Sequence, residues 1–598
     1  MNLSRREFLQ LLAAASAAGF ALPGCDNQST PSAVTQSGAP APKPSDPYEL
    51  PPFGNISFVH FTDTHAQLLP VYFREPNFNI GVGDAWGKPP HLVGDALLQH
   101  FGIKPGTREA HAFTYLDFAE AARQYGMVGG FAHLRTLVKR VRDQRPNSLL
   151  LDGGDTWQGS ATALWTRGKD MVGAGNLLGV DIMTGHWEFT YEAAETIDNI
   201  KDFKGEFVAQ NVFVKDEASF DYRFADFPGF DESTQRAFKP YTMRDMNGIP
   251  VAVIGQAFPY TPIANPNFFV PEWTFGIRDE QMQKVVDQAR AEGAQAVVVL
   301  SHNGMDVDLK MASRVSGIDA ILGGHTHDGV PAPIPVRNAG GTTLVVNSGS
   351  NGKFLSLLDF DVRDGKVQDF RFKMLPVFSN LLEPDPEMSA YIDQVRAPYK
   401  DKLAEELAVA DSLLYRRGNF NGTFDQIICN AMMDVRGADI AFSPGFRWGV
   451  SVLPGQAITM DALMTHTAIT YPKSTLNEMS GELIKVVLED IADNLYNPDP
   501  YLQQGGDMVR VGGLQYAMDP TAKMGNRISN MTLRGQPIEA GKNYLVAGWA
   551  SVQQQPDDLP DIWDVVAEYL RDKKTVKVDE LNVPTIKGME NNPGLATA

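Results

Sequence analysis

Five short apolar runs, each closed by polar residues, constrain the fold of this 598-residue chain more than any other feature. They read ISFVHFTDTH, SLLLDGGDTW, VDIMTGHWEF, AQAVVVLSHNG and IDAILGGHTHD. Short apolar runs that end in turn residues are typical of buried strands, and helical stretches such as FAHLRTLVKRVRDQ lie between them. The pattern predicts an α/β fold with a largely buried sheet, in which ligands bind where strands end.

Carboxylates and imidazoles gather at the ends of these runs. They are Asp63, His65, Asp155, His186, His302, His325 and His327, and they include five of the eleven histidines. A lone histidine after a strand is more often a structural hydrogen-bonding group than a ligand, but a cluster of five with two carboxylates indicates a metal site.

The spacing of these residues suggests how cations would be held. D-x-H and H-x-H place two side chains on the same side of an extended segment, so each pair can hold one cation. One aspartate between the pairs can bridge two cations about 3.5–4 Å apart, as in hydrolases that activate a metal-bound water. The donors are nitrogen and oxygen without thiolate, which argues against a structural zinc or an iron–sulfur site.

The composition narrows the class of protein. Hydrophobic residues make up 43% of the chain, enough for more than one core, and we expect about two to four structural units. Asp and Glu number 72 against 52 Lys and Arg, which gives a net charge of −20. Since no basic block is present, the charge argues against nucleic acid as a partner.

The first 25 residues predict an export signal. Arg5 and Arg6 precede an apolar segment that is short for a membrane span, an order typical of a twin-arginine (Tat) signal peptide and a periplasmic protein. The alternative is a chance basic terminus before a cytosolic helix. Cleavage is open between an ordinary site near Ala21, which we favour slightly because Pro23 is awkward in a lipobox, and a lipobox that leaves an acylated, membrane-anchored Cys25.

The rest of the chain divides by composition. Residues 26–53 are rich in Pro, Ser, Ala and Gln and predict a disordered linker before a catalytic domain over 54–380. In the segment 381–407, Asp385 is a candidate N-cap with Pro386 at the first helical position, which predicts a connecting helix interrupted by Pro398. A C-terminal substrate-binding domain is expected over 408–587 and a tail over 588–598.

The two cysteines predict no disulfide framework. Cys429 lies in FDQIICNAMMD, whose apolar spacing indicates a buried helix face. We therefore expect an inert buried thiol there rather than a nucleophile.

Four motifs carry a family resemblance. FTDTHAQ, GGDTWQGS, LSHNG and GGHTHD resemble, in order, the motif series of the 5'-nucleotidase family of dimetal phosphoesterases. The resemblance implies a four-layer α/β/β/α metallophosphoesterase-type catalytic domain, a linking helix and a C-terminal 5'-nucleotidase-type α/β domain. It also implies one metal held by Asp63, His65 and His327, a second held by His186, His302 and His325, and a bridging Asp155.

The chain departs from the family pattern in two places. Where the family usually has G-N-H-E, this sequence has Gly185-His186-Trp187-Glu188, so His replaces the Asn ligand and Trp replaces the catalytic histidine. The aromatic residues that stack a nucleotide base in P-F-x-N and G-G-D-G-[FY] stretches are missing as well. The first stretch reads PKST, and no G-G-D-G follows YLVAGWAS. These departures predict that the nucleotide-stacking pair is absent.

A closer resemblance is to the SoxB family of thiosulfohydrolases. TGHWEF, YRRGNFNGTFDQIICNAM, FSPGFRWG and the long insertion after His65 are similar to that family over nearly the whole mature chain. The implied substrate is a cysteine S-thiosulfonate on a sulfur-carrier protein of the SoxYZ type with a swinging cysteine arm, and the implied cofactor is a pair of manganese ions. Zinc and iron stay open as alternatives. Export of the folded protein fits manganese, because a weakly bound metal is best loaded before it meets zinc or copper outside.

The substrate chemistry assigns roles to four further side chains. A persulfide is a better leaving group than an alkoxide, so its departure needs little help from a general acid. Trp187 can therefore stand in place of the proton donor, and its indole can line an apolar slot for the substrate. The alternative is that Trp187 simply packs in the core. Arg447 stands where the family places an anion-binding arginine, and we assign it to the sulfonate oxygens. Arg416 and Arg417 are weaker candidates, with a solvated surface position as the alternative.

Three functions stay open at this point. The thiosulfohydrolase is favoured, with Asp155, Trp187 and Arg447 in catalytic roles. A periplasmic 5'-nucleotidase or related phosphoesterase is the alternative, against which the missing aromatic pair argues. A catalytically inactive binding protein is third, and the complete ligand set argues against it.

Overall fold

The first β-sheet lies in the N-terminal half of the chain. A computed structural model describes residues 3–4 and 46–596. Seven strands occur in the spatial order Leu3–Ser4, Lys366–Pro376, Phe354–Arg363, Ile56–Phe61, Leu149–Asp152, Ile182–Met183 and Glu206–Phe207. The last four are parallel, with Phe58 opposite Leu149 and Leu151 opposite Ile182. Three of the five apolar runs therefore end at one edge of this sheet.

A second sheet contains the other two runs. Its six strands lie in the order Ile334–Asn338, Gly341–Asn347, Ala320–Gly323, Ala296–Ser301, Ile249–Gln256 and Tyr241–Met246. The four central strands are parallel and the two outer ones antiparallel. The pattern predicted a single sheet because periodicity cannot show how strands are divided between sheets.

The two sheets stack face to face. Phe58 and Leu151 of the first sheet share a core with Val253 and Val298 of the second. Because side chains alternate along a strand, the opposite faces need separate covers. The first sheet packs there against helices Phe131–Gln144, Ala161–Thr166, Lys169–Leu178, Glu192–Asp202 and Pro386–Arg396, and the second against Asp279–Ala291 and Met305–Arg314. The four-layer α/β/β/α arrangement implied by the family resemblance is confirmed.

The connecting segment follows its local sequence signals. The carboxylate of Asp385 accepts a hydrogen bond from the backbone N–H of Met388 at 3.0 Å, and Pro386 is the first residue of helix Pro386–Arg396. Pro398 lies in a 3₁₀ turn, Ala397–Tyr399, before helix Lys400–Leu403.

Three small sheets and four helices form the C-terminal region. The sheets contain Ala457–Thr459, Glu406–Ala410 and Thr575–Val576; Ser474–Ser480, Asn543–Trp549, Ile440–Ser443 and Arg510–Gly512; and Gln536–Pro537, Ile528–Leu533, Leu514–Met518 and Thr585–Ile586. The helices are Thr423–Arg436, Met460–Thr467, Gly481–Tyr496 and Ile562–Lys573. Cys429 is fully buried in the first helix, and burial raises the pKa of its thiol, as expected of an inert cysteine.

The long insertion after His65 joins the two halves of the molecule. Its helices are Gly94–Phe101, Arg108–Phe113 and Phe118–Tyr125. Tyr72 pairs with Ser451, and the backbone N–H of Ile80 donates to the side-chain oxygen of Asn419 at 2.7 Å. Phe78 pairs with Leu595, so the C-terminal tail is packed against the insertion.

The N-terminal boundary differs from the sequence prediction. Tyr48 and Leu50 are buried in the core of the first sheet, and the Tyr48 hydroxyl donates to the carbonyl of Pro376 at 2.7 Å. The disordered linker predicted over 26–53 is therefore wrong for its last residues, because two large side chains suffice to fix a short segment on an apolar surface. The twin-arginine pair and Cys25 lie outside the described residues. In the part that is described, no helix is long and apolar enough to cross a membrane.

Candidate functional site

The seven candidate ligands converge at the carboxyl ends of five strands. Asp63 and His65 follow Ile56–Phe61, Asp155 follows Leu149–Asp152, His186 follows Ile182–Met183, His302 follows Ala296–Ser301, and His325 and His327 follow Ala320–Gly323. All seven are buried, and the most exposed, His325, shows only 8% of its surface. Stacking the two sheets brings both sets of strand ends to one edge.

Several of these residues have a left-handed backbone. The φ angle is 52° at Asp63, 45° at His65, 56° at Asp155, 72° at His325 and 59° at His327. Residues with a Cβ rarely adopt such angles, and each instance costs about 1–3 kcal/mol unless its surroundings impose it. Conformational strain concentrated at one sheet edge is typical of a functional site.

The side chains form two groups that share one carboxylate. Asp63, His65, Asp155 and His327 make one group, and Asp155, His186, His302 and His325 make the other. Within each group, one ligand atom per residue lies within 4.8 Å of the others. Asp155 Oδ2 is 2.9 Å from His302 Nε2 and 3.3 Å from His186 Nδ1. This division places the side chains as the family resemblance implies, with Asp155 between the two groups.

The donor set fits divalent cations. His302 Nδ1 lies 2.6 Å from the carbonyl oxygen of Gly153, so the proton sits on Nδ1 and leaves Nε2 free for a metal. Nε2 of His186 and Nε2 of His325 are buried and have no hydrogen-bond partner among the described residues. Nε2 of His65 faces Nε2 of His327 at 3.0 Å, a contact that a cation between them would satisfy. These residues are compatible with a dimetal site.

The surroundings favour the cation-binding form of three ligands, Asp155, His325 and His327, whereas at His302 the carboxylates of Asp155 and Asp63 outweigh burial and raise the pKa to about 10. Burial alone would raise the pKa of Asp155, but His186 and His302 hold that pKa well below its usual value. Burial, together with neighbouring imidazoles and Arg447, holds the pKa of His325 and of His327 well below the ordinary range. Asp155 is therefore an anion and these two histidines are neutral, as metal coordination requires.

Glu188 ties the two loops that carry Asp155 and His186 together. Its Oε1 accepts hydrogen bonds from the backbone N–H of Thr156 at 2.8 Å and of Trp157 at 3.2 Å. Its Oε2 accepts from the N–H of His186 at 2.8 Å and of Asp155 at 3.2 Å. The only sequence signal for Glu188 is its position in the GHWE corner, which does not by itself indicate this role.

A cavity of about 700 Å³ opens over the metal site. Its walls include His65, Asp155, His186, His325 and His327 from the catalytic region, and Phe442, Phe446, Arg447, Trp448, Tyr471 and Trp549 from the C-terminal region. A site between two structural units with mostly apolar walls and a few polar groups is typical of a substrate cavity.

Trp187 lies between the metal site and the C-terminal region. Its ring centroid is 5.0 Å from that of His186, 5.1 Å from Trp448 and 5.5 Å from Phe446. It is 5% exposed, belongs to an apolar core and also lines the cavity. Trp187 therefore packs in the core and also lines the cavity, so its position agrees with both predictions for this residue.

Phe446 and Trp448 stack on each other with centroids 4.1 Å apart and planes 18° apart. The two rings are in direct stacking contact, so no base fits between them. The P-F-x-N and G-G-D-G motifs do not include Phe446 or Trp448, because the two rings come from a different segment of the chain.

The three arginines singled out in the sequence occupy different places. Arg447 lines the cavity; its Nη2 donates to the carbonyl of Gly506 at 2.5 Å and its Nε to Asp507 at 3.3 Å. Arg416 is buried in an ion pair with Asp425 at 2.7 Å and does not line the cavity, so a substrate contact is wrong for it. Arg417 is buried behind the metal-site loop, where it donates to the carbonyl of His327 at 3.3 Å. Since both are buried, the solvated alternative is also wrong; periodicity does not reveal a buried ion pair.

A glycine pair covers one side of the site. Gly505 has a φ of 74°, and a Cβ there would lie 2.0 Å from His325 Nε2. Only a glycine lets the backbone pass this close to the metal-site histidine. Gly506, which follows, accepts the hydrogen bond from Arg447.

Comparison with known proteins agrees with this architecture. Residues 408–560 match the family model "5'-nucleotidase, C-terminal domain". The rat (Rattus norvegicus) 5'-nucleotidase is 25% identical over 512 residues, which cover 75% of this chain and 84% of the relative. The solved structure of the Thermus thermophilus sulfate thiohydrolase SoxB in complex with glycerol is 36% identical, with a TM-score of 0.83 over 90% of this chain and 98% of that one.

A second solved structure supports the fold. A 5'-nucleotidase precursor from Thermus thermophilus is 22% identical, with a TM-score of 0.68 over 89% of this chain and 99% of that one. With 36% identity across nearly the full length of one solved relative, a matching C-terminal domain and a compatible dimetal site, the chain belongs to the 5'-nucleotidase family of hydrolases.

Proposed function

We propose that this hydrolase is a thiosulfohydrolase. It removes the terminal sulfone group of a cysteine S-thiosulfonate on a SoxYZ-type carrier protein and releases sulfate during thiosulfate oxidation. The observation that carries the proposal is Trp187: the residue beside the metal-site His186 is an indole, which has no titratable group and cannot protonate a leaving group. Such a site suits a reaction in which the leaving group departs without a proton.

The leaving group meets this condition. Attack of water on the outer sulfur breaks the sulfur–sulfur bond and leaves a persulfide on the carrier cysteine. A thiol has a pKa of about 8.5 and a persulfide a lower one, whereas the alkoxide that leaves a phosphate ester is far more basic. The apolar surface formed by Trp187, Phe446 and Trp448 favours a polarizable sulfur-containing arm over a polar leaving group.

The residues of the chain share the remaining tasks. When bound, two divalent ions supply Lewis-acid activation of water and of the anionic group. Asp63, His65 and His327 would hold one ion and His186, His302 and His325 the other, with Asp155 shared. Arg447 reaches the cavity from the C-terminal region and orients the sulfonate through its guanidinium. Gly505 and Gly506 limit the space above His325.

The similarity to the Thermus SoxB structure supports this proposal over most of the chain. We extend it to manganese as the metal, to periplasmic location after twin-arginine export, and to membrane attachment only if Cys25 is lipidated. Replacing Arg5 and Arg6 by lysine should retain the protein in the cytoplasm; unchanged periplasmic accumulation of the variant would contradict the export route.

A phosphoesterase acting on nucleotides is the second candidate. It is supported by the relatives that carry the name 5'-nucleotidase and by a cavity large enough for a nucleotide. The absence of the aromatic residues that the family uses to stack a base, in the PKST stretch and after YLVAGWAS, argues against it.

One comparison tests the proposal. Metal-loaded protein is incubated with a carrier peptide bearing Cys-S-thiosulfonate and, separately, with AMP; sulfate and phosphate release are measured. We expect sulfate release at least about tenfold faster at equal substrate concentration. Phosphate release from AMP without sulfate release would overturn the proposal in favour of the nucleotidase. The Asp155→Ala protein is the control for contaminating hydrolases.

A further inference from the structure

Two consecutive residues on the cavity wall carry buried hydrogen-bond donors without partners. They are Nη1 of Arg447 and the indole Nε1 of Trp448; neither has an acceptor in the described part of the chain. A buried donor left unpaired is costly, so each such group in a native protein calls for an explanation. Trp549 on the same wall shows the usual arrangement: its indole N–H donates to the hydroxyl of Ser443 at 2.8 Å.

Cations cannot satisfy these two groups. A metal ion would satisfy the unpaired imidazole nitrogens of His186 and His325, because a neutral imidazole nitrogen has a lone pair. An indole N–H and a guanidinium N–H are donors only. Their partner must therefore be an acceptor, such as an oxygen of an anionic ligand.

Both donors belong to residues that border the candidate metal site. Trp448 packs on His65, with ring centroids 5.2 Å apart and planes 35° apart, and so belongs to the side of the first ligand group. Arg447 donates a hydrogen bond to the carbonyl of Gly506, which follows the glycine that covers His325. Because both residues line the cavity over the two ligand groups, one tetrahedral anion bound there could accept a hydrogen bond from each.

We propose that the indole N–H of Trp448 donates a hydrogen bond to an oxygen of the tetrahedral oxyanion over the metal site, together with Arg447, and thereby orients the substrate. The inference rests on the proposed function for the identity of the anion, a sulfonate, but the same donor would serve a phosphoryl group. Trp448 thus has two roles: its ring forms part of the apolar slot, and its N–H donates a hydrogen bond to the oxyanion.

The test removes the N–H and keeps an aromatic ring at this position. In Trp448→Phe, loaded with two metal ions per chain, we expect kcat/KM for the thiosulfonate peptide to fall about tenfold or more, and the Kd for inorganic sulfate, measured by titration calorimetry, to rise by a similar factor. If this variant does not fold, β-(3-benzothienyl)alanine at position 448 replaces the N–H by sulfur in a side chain of almost the same shape. Unchanged kcat/KM and unchanged sulfate affinity in either variant would overturn the inference.

The matched control is Trp273→Phe. Trp273 is buried and does not line the cavity, and its indole N–H donates to the Tyr222 hydroxyl at 2.8 Å. This change should leave kcat/KM and sulfate affinity within about twofold of the wild type. A loss as large as that in Trp448→Phe would mean that the effect reflects general loosening rather than a lost contact to the anion.

Measuring anion affinity by calorimetry also distinguishes a failure of this inference from a failure of the proposed function. If the wild type releases no sulfate from the peptide but binds sulfate or phosphate more tightly than Trp448→Phe does, the thiosulfohydrolase proposal fails and the donor role stands. If the wild type releases sulfate and Trp448→Phe matches it in turnover and affinity, the donor role fails and the function stands.

Discussion

Glu188→Gln should remove hydrogen bonds that hold together the two loops carrying Asp155 and His186. The side chain is fully buried, and its two oxygens accept four backbone hydrogen bonds, from the amides of Asp155, Thr156, Trp157 and His186. Glutamine has the same shape but presents an NH₂ group in place of one oxygen. Whichever way the amide is turned, two backbone N–H groups face a donor.

The expected loss of unfolding free energy follows from the number of backbone N–H groups that lose their acceptor. A buried donor deprived of its acceptor costs about 1–3 kcal/mol, so two of them cost about 2–6 kcal/mol. The two bonds that remain are weakened because the acceptor is no longer charged. One effect opposes this: burial and the nearby Asp155 raise the pKa of Glu188, so a neutral side chain relieves some electrostatic cost. We therefore expect a destabilisation in the lower half of the range, about 2–4 kcal/mol.

The assay compares urea unfolding of the metal-free wild type and variant, followed by circular dichroism. Metal affinity is then measured by competition with a chelator, and we expect it to fall about 10- to 100-fold, since groups that orient metal ligands have effects of this size. Glu192→Gln is the control in the same segment: its side chain is 59% exposed and 3.6 Å from Arg167, and its loss should cost about 0.5 kcal/mol or less.

The reasoning would be refuted by a Glu188→Gln protein that unfolds within about 0.5 kcal/mol of the wild type and binds metal with unchanged affinity. Such a result would mean that other contacts of the two loops suffice to place Asp155 and His186.

Four further predictions concern the site and the core. Asp155→Ala should lose both metal ions together, because both ligand groups include this carboxylate; elemental analysis that finds one ion retained would remove its shared role. Trp187→His restores the usual family residue but should not create appreciable AMP hydrolysis, because the pair of aromatic residues that stacks a base is absent as well; phosphate release at nucleotidase rates would show that the C-terminal region still accepts nucleotides. Arg447→Lys keeps the charge and loses the guanidinium fork, so transition-state binding should weaken by about 1.5–3 kcal/mol with metal content unchanged, and wild-type kcat/KM in Arg447→Ala would contradict the assignment. The Cys429 thiol should resist alkylation in the native protein at pH 8 and react after unfolding, since burial raises its pKa; mass spectrometry of the Cys429 peptide is the readout.

The candidate ligands were accessible to sequence reasoning because their chemistry is local. Asp63, His65, His325 and His327 stand directly after strongly apolar runs, and a polar cluster at a strand end needs no knowledge of the fold to be noticed. The N-cap at Asp385 and the burial of Cys429 are local in the same sense, since capping and helical periodicity act within one or two turns.

Other features depend on packing between distant segments. The burial of Arg416 requires Asp425 opposite it, and the burial of Tyr48 requires the surface of the first sheet. Three of the four backbone bonds to Glu188 require two loops 31–33 residues apart to meet. None of these contacts leaves a periodic trace in the sequence, because side chains that meet through tertiary structure need not have any regular spacing.

By itself the sequence therefore determined which residue types could bind metal, where strands end, and that an indole, Trp187, follows the candidate ligand His186. Only the tertiary structure decided that two stacked sheets bring seven ligands into two groups around Asp155, and that the C-terminal region closes the cavity with Phe446, Arg447 and Trp448. The physical reason is that strand formation responds to local hydrophobic pattern, whereas the stacking of sheets and the docking of a second region are set by complementary surfaces formed after the strands exist.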